Sequence, residues 1–255
     1  GSGKSTTLYT ILDILNTPDV NISTVEDPIE YQMPRINQTQ VKSEIGMTFA
    51  NGLRALLRQD PDIVMVGEIR DGETASLAVN AALTGHLVLS TIHTNSAAGA
   101  VPRMIDMGVE PFLIVSTVKV VVAQRLVRRL TNSKEKYTLS EGELKALAGI
   151  IDLDRMLELL KLEKAIGDKD DWTTILFYRP KKSEESEDGY KGRVGIHEAL
   201  KMSATIKEMV LKGGSADDIE NQAKKEGMMT MIEDGIYQAV LGNTTTEEVL
   251  RVVSE

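Results

Sequence analysis

The chain has 255 residues, of which 42% are hydrophobic and 26% are charged, as in an ordinary globular protein. It contains no cysteine, which excludes disulfide bonds and thiolate metal sites, and no apolar run approaches the roughly eighteen residues of a membrane-spanning helix. A net charge of -9, one Trp and three Phe argue against direct binding of nucleic acid.

Residues 1–130 alternate short apolar runs with helical patterns, which predicts an α/β fold with a parallel-type sheet. A first helix is expected to end at Asn16-Thr17-Pro18, and its apolar stripe is Leu8, Ile11, Leu12 and Leu15. Strands are predicted at NISTVED, DPDIVMVGE and HLVLSTIHT, with helices between them, and each strand ends in polar residues. Ligands of open parallel sheets bind outside the carboxyl ends of the strands, so the chemistry is expected at one edge.

The remaining chain is predicted to have three parts. Residues 131–189 form a charged helical insert, 190–202 a strand that returns to the core, and 203–255 a C-terminal helical extension. Helix starts are predicted from cap spacings at Ser140 with Glu143, Ser215 with Asp218, and Thr245 with Glu248.

The chain begins with GSGKST, the second half of the phosphate-loop pattern G-x-x-x-x-G-K-[ST]. In that pattern backbone N–H groups surround the phosphates, the lysine bridges the outer ones and the hydroxyl binds Mg²⁺. The candidate phosphate-binding residues are therefore Gly1, Ser2, Gly3, Lys4, Ser5 and Thr6. The alternative is a Gly-Ser turn that precedes a helix and carries a surface lysine.

Two acidic segments follow predicted strands. Glu68 ends the apolar run IVMVGE, where a carboxylate can organise Mg²⁺ or water, although a buried strand with a surface glutamate is the simpler interpretation. Glu26, Asp27 and Glu30 lie within five residues, and Glu30 or Glu26 is a candidate to polarise an attacking water. A polar turn at Asp27-Pro28 remains open as the alternative.

His86 and His93 bracket the strand LVLSTI and lie at its opposite ends, so they cannot share one metal ion. His93 falls at the carboxyl end, where it is a candidate polar sensor, whereas His86 suits a helix end. Arg70 and Arg103 either pair with acids of this chain or contact phosphate or a neighbouring subunit.

These blocks, in this order, resemble the secretion ATPase superfamily of type II secretion and type IV pilus assembly. The matching stretches are GSGKST, STVEDPIEY, DPDIVMVGEIRD, TGHLVLSTIHTNSA, AQRLVRRL and GRVGIHEALKMS. The resemblance implies a RecA-like phosphate-loop NTPase core that binds ATP and Mg²⁺.

Specific roles also follow from the resemblance. Lys4 and Ser5 would hold phosphate and Mg²⁺, Glu30 would lie nearest the water, and Glu68 would organise metal and water. His86 and His93 would be the histidine-box pair, and Glu26, Asp27 and Arg70 would belong to the nucleotide site. Members are hexameric motors that hydrolyse ATP, move pilin-like subunits and act through a platform protein. They work in the cytoplasm at the inner membrane.

The chain departs from the family pattern in three ways. The N-terminal domain and the strand that leads into the phosphate loop are not in it, so we expect a fragment with poor activity alone. The Cys-free segment 131–189 stands where assembly-type members often bind zinc, so no zinc site is expected. The insert itself favours the assembly or secretion branch over retraction. The alternatives are a related ATPase of type IV secretion or DNA uptake and a nucleotide-binding scaffold without hydrolysis.

Overall fold

The computed structural model describes residues 1–254, in which there are eleven α-helices and eight β-strands. The helices are α1 (Lys4–Leu15), α2 (Phe49–Leu56), α3 (Gly72–Leu83), α4 (Ala100–Asp106), α5 (Pro111–Thr117), α6 (Glu141–Ala148), α7 (Leu153–Leu162), α8 (Ala204–Leu211), α9 (Ala216–Lys225), α10 (Met231–Val240) and α11 (Thr246–Val253). The strands are β1 (Ile22–Glu26), β2 (Ile36–Gln40), β3 (Ile63–Ile69), β4 (Leu87–Ile92), β5 (Val120–Leu130), β6 (Lys134–Tyr137), β7 (Phe177–Pro180) and β8 (Tyr190–Lys201). Over the same residues, none of the helices has the length and apolar character needed to span a bilayer.

A four-stranded parallel sheet in the order β2-β1-β3-β4 forms the centre of the N-terminal part. The register pairs Ile22 with Ile36 on one side and with Ile63 on the other, and Ile63 with Leu87. The three predicted strands are neighbours in this sheet, so their carboxyl ends meet at one edge. The predicted α/β fold is confirmed.

Helices cover both faces of the sheet. Ile63 and Met65 of β3 pack on the α1 side, with Leu8 and Leu12, whereas Val64 and Val66 pack on the α2 and α3 side. Successive side chains of a strand point to opposite faces, so a strand that is covered on both sides must be apolar throughout. This explains why IVMV is a continuous apolar run.

The chain divides into two compact units. The sheet unit consists of Gly3–Val122 and Leu200–Gly227, and the insert unit consists of Gly1–Ser2, Ala123–Ala199 and the residues from Met228 onward. The predicted C-terminal extension is helical, but α8 and α9 belong to the sheet unit and α10 and α11 to the insert unit. The four predicted segments and the three boundaries between them stay a prediction.

The insert unit has its own core, which includes Met156, Leu160, Trp172, Phe177 and Ile236. Helices α6 and α7 form within the predicted insert, and Ser140 and Glu143 make the expected reciprocal cap. The segment also contains β6 and β7, an antiparallel pair that the sequence did not predict.

Strand β8 forms over the predicted range, but it pairs with β5 in a separate two-stranded sheet. This corrects the expectation that it returns to the parallel sheet. The two strands have 11 and 12 residues. No strand of the parallel sheet is longer than 7 residues.

Candidate functional site

A cleft of about 270 Å³ lies in the sheet unit, where β1, β3 and β4 end. Eight of the predicted site residues line it: Lys4, Ser5, Glu26, Asp27, Glu30, Glu68, Arg70 and His93. Leu8, Tyr9, Phe49, Met65 and Thr91 complete much of the remaining wall. The cleft is therefore polar at the strand ends and apolar behind them, and its size is near the lower end for small-molecule sites.

The N-terminus of α1 suits an anion. The N-cap residue Gly3 lies in the left-handed region, with φ 86° and ψ 13°, and as a glycine it has no side chain with which to cap this end. The N–H groups in the first turn of a helix have no acceptor on the preceding turn, and the helix dipole places partial positive charge there. Lys4 and the exposed Ser5 add an ammonium and a hydroxyl.

Glu26 is held by a buried network at the end of β1. Its side chain accepts hydrogen bonds from the Tyr9 and Thr24 hydroxyls and from Gln38 Nε2 at 3.2 Å. The Tyr9 hydroxyl also accepts the backbone N–H of Glu30 at 3.2 Å. Tyr9 of α1 and Gln38 of β2 therefore both hold the acidic segment, residues 26–30, in place. This segment includes a cis peptide bond at Asp27-Pro28.

Glu68 lies between Arg70 and His93. One carboxylate oxygen pairs with Arg70 and the other lies 3.0 Å from His93 Nε2. Burial raises the pKa of Glu68, but the hydrogen bonds and charges of Arg70 and His93 outweigh it and leave the pKa below its ordinary value. The lowered pKa keeps the carboxylate ionised. The side chain is 12% exposed and lines the cleft, so the carboxylate is accessible from it.

The pairing of β3 with β4 is interrupted next to Glu68. The register shifts between Val66 and Ile69, and there the Thr91 hydroxyl donates to Gly67 O at 2.7 Å. A Cβ at Gly67 would lie 3.3 Å from Glu26 Cα, so glycine allows β3 to pass close to β1. Irregular pairing of this kind re-aims side chains at the end of a strand.

Several predicted residues lie elsewhere. Gly1 and Ser2 belong to the insert unit, in which Gln124 Nε2 donates to Ser2 O at 2.7 Å. Gly3 and Thr6 lie at the start of α1 but are not among the residues that line the cleft. His86 is at the far end of β4, with Nδ1 2.8 Å from Ala81 O at the end of α3.

Sequence reasoning missed Tyr9, Gln38 and Thr91 as parts of the site. Tyr9 directly follows the apolar Leu8 in a helix, so it reads as a core residue. Gln38 lies in the polar run INQTQ, where no strand was predicted. Only Thr91 could have been found from the sequence, because it is a polar residue near the carboxyl end of the predicted strand LVLSTI, where the site was expected.

The donor set suits Mg²⁺ bound together with a phosphate. Within residues 1–254 no group of three or more His, Cys, Asp or Glu side chains could hold a metal alone. Mg²⁺ is commonly held by one or two protein oxygens, substrate phosphates and water. The Ser5 hydroxyl and the ionised Glu68, beside a helix N-terminus whose N-cap residue is Gly3, fit that arrangement.

The sheet, its helices and the cleft define an α/β protein of the RecA-like kind. The crystal structure of the pilus retraction motor PilT with bound ADP matches with a TM-score of 0.66 and 27% identity, covering 98% of this chain and 58% of that one. The family model described as Type II/IV secretion system protein matches residues 1–251, so the chain belongs to that family.

Two curated relatives show how much of a family member the chain represents. Type II secretion system protein E of Xanthomonas campestris pv. campestris is 49% identical over 256 residues, which covers 100% of this chain and 42% of that protein. Type IV pilus assembly ATPase PilB of Thermus thermophilus is 46% identical over 250 residues, which covers 98% and 26%. The chain thus spans less than half the length of either relative.

Proposed function

We propose that this chain is the ATP-hydrolysing part of a hexameric motor that powers type IV pilus assembly or type II secretion. The observation that carries the proposal is that Lys4, Glu30 and Glu68, far apart in the sequence, line one cleft. Family membership and the names of the two relatives support the same function. The ADP bound in the PilT crystal structure supports a nucleotide as ligand.

Each residue has a role in the proposal. The N–H groups at the start of α1 and the Lys4 ammonium bind the phosphates. The Ser5 hydroxyl and Glu68 would hold Mg²⁺, which would supply positive charge beside the phosphates. Arg70 and His93 keep the Glu68 carboxylate ionised and oriented, and His93 senses the phosphate.

Glu30 takes the part of the carboxylate that orients the attacking water. It is exposed at the cleft, and its backbone N–H is fixed by the Tyr9 hydroxyl. Glu26 is buried and its carboxylate already accepts three hydrogen bonds, so it has a structural role in the acidic segment. Between these two acids, Glu30 is therefore the better candidate.

The proposed motor is a homohexamer of a longer protein. It works on the cytoplasmic side of the inner membrane, acts through a platform protein there, and does not contact nucleic acid directly. The type II and type IV pilus names of the relatives favour assembly or secretion over DNA transport.

The test is ATP turnover by a full-length protein that carries this chain, measured for wild type and Glu68→Gln. We expect turnover to fall by about a hundredfold or more, because the neutral amide cannot replace the carboxylate. Glu73→Gln is the matched control, since Glu73 is exposed on α3, pairs with Arg54 and does not line the cleft.

Unchanged turnover in Glu68→Gln would overturn the proposal. A wild type that binds ATP but does not hydrolyse it would instead identify a nucleotide-binding scaffold. Light scattering of the full-length protein with nucleotide tests the hexamer.

A further inference from the structure

The insert unit contains a second and larger cleft, of about 390 Å³. Its lining residues are Arg129, Leu130, Asn132, Lys134, Lys191, Gly242 and Asn243. Three of these are basic and none is acidic, in a chain with 38 acidic and 29 basic residues. Such a concentration of positive charge in an acidic protein needs an explanation.

Neighbouring arginines on β5 differ sharply in their partners. Arg128 pairs with Glu248 and with Asp188, and its guanidinium lies 4.1 Å from the centre of the Tyr190 ring. Arg129 makes no ion pair within residues 1–254, and neither does Lys191 on β8. Two of the three cations that line the cleft therefore have no ion-pair partner among residues 1–254.

The third cation, Lys134, is fixed in place. Its ammonium donates to Gly242 O at 2.6 Å and lies 4.8 Å from the centre of the Tyr178 ring. Burial, and then the charge of Arg129, lowers the pKa of Lys134. An anion in the cleft would offset both costs of keeping this ammonium charged.

The backbone at Gly242 makes room for this arrangement. Gly242 has a φ of 74°, and a Cβ there would lie 2.8 Å from Lys134 Nζ and 2.9 Å from the Tyr178 ring. Any other residue would displace the ammonium or the ring. The position of Lys134 therefore depends on a glycine at the end of α10.

We propose that this cleft binds a soluble ligand that carries two or more phosphate groups. Three convergent cations match the charge of a pyrophosphate or a phosphorylated ester, and Asn132 adds an amide. The volume is sufficient for such a ligand, and a concave site suits a small molecule better than a flat membrane surface. The proposal is independent of the function assigned to the sheet unit.

The test is isothermal titration calorimetry with pyrophosphate. The measurements use Lys4→Gln protein, so that the cleft of the sheet unit does not contribute. Arg129→Gln with Lys191→Gln is expected to weaken binding by about a hundredfold, because each of the two charged hydrogen bonds contributes about tenfold. Both side chains are exposed, so this variant should fold, which its circular dichroism and Tm would verify.

The control removes one lysine and one arginine elsewhere in the same unit. Lys169→Gln with Arg193→Gln has the same net charge as the Arg129→Gln, Lys191→Gln variant. Neither Lys169 nor Arg193 lines the cleft, so pyrophosphate binding should change by less than about twofold. Equal losses in both variants would mean a nonspecific charge effect and would overturn the proposal. Absence of pyrophosphate binding would also overturn it, as would binding only to vesicles of phosphatidylglycerol and phosphatidylcholine.

Discussion

The Tyr9 hydroxyl links the first helix to the acidic segment. It donates to Glu26, accepts from the Glu30 N–H, and belongs to a side chain that is 1% exposed. Burial and the hydrogen bond to Glu26 raise its pKa, so the hydroxyl stays protonated at every physiological pH. It is a permanent donor to Glu26 and a permanent support for Glu30.

We predict that Tyr9→Phe lowers the free energy of unfolding by about 1–3 kcal/mol, because it leaves buried polar groups without a partner. Turnover by the full-length protein should fall as well, since Glu30 loses its backbone contact. Denaturant unfolding and ATPase assays would measure the two effects.

Tyr31→Phe is the matched control. Tyr31 contacts the Tyr9 ring edge to face at 4.7 Å but is itself exposed, so its hydroxyl should contribute less than about 0.5 kcal/mol. Equal stabilities of Tyr9→Phe and wild type would contradict the role assigned to the buried hydroxyl.

Residues proposed to contact phosphate or Mg²⁺ were easier to predict from the sequence than residues that hold the acidic side chains in place. Lys4 and Glu68 stand in recognisable local patterns, and the structure places both in one cleft. Tyr9 and Gln38 act on Glu26 from 17 and 12 positions away, and nothing local indicates such a contact. Only the folded sheet brings these residues together.

Among the strands, burial decided which were predictable. Strand β3 has the apolar run IVMV and β4 begins with LVL, and β1 is buried throughout although it includes Ser23 and Thr24. Strand β2, with the sequence INQTQ, is an edge strand that pairs only with β1, so a single apolar residue, Ile36, suffices. Its pattern resembles that of a polar loop, and for that reason the sequence did not indicate it.

Helix α11 is joined to β5 by an ion pair that responds to acid. Glu248 is 3% exposed, and its hydrogen bond with Arg128, assisted by Arg251, lowers its pKa from the ordinary 4.5 to about 2. A carboxylate whose pKa is depressed on folding adds stability above its unfolded pKa and loses it as pH falls. The difference corresponds to at most about 3 kcal/mol.

We therefore predict that the insert unit loses stability between about pH 5 and pH 2, and that Glu248→Gln reduces this dependence while lowering stability at pH 7. Chemical denaturation followed by the fluorescence of Trp172, which lies in the core of that unit, would measure it. Glu247→Gln, at an exposed neighbour, should leave the pH profile unchanged. A profile that Glu248→Gln also leaves unchanged would contradict the linkage.

At the scale of the whole molecule, two compact units are assembled from interleaved segments. The sequence correctly indicated helices in the last 53 residues, but it did not indicate that they divide between units after Gly227. That division follows from pairings between distant residues, such as Arg128 with Glu248. Periodicity within a segment carries no information about such pairings.

The register shift between Val66 and Ile69 divides β3 into two parts with separate tasks. Ile63–Val66 is buried on both faces and supports folding, whereas Glu68 lies within the irregular stretch before pairing resumes at Ile69. Substitution of Glu68 should therefore yield a soluble, well-folded protein that has lost its chemistry. If such a variant is produced in a cell beside the intact protein, we expect it to join the same oligomers and to inhibit their activity.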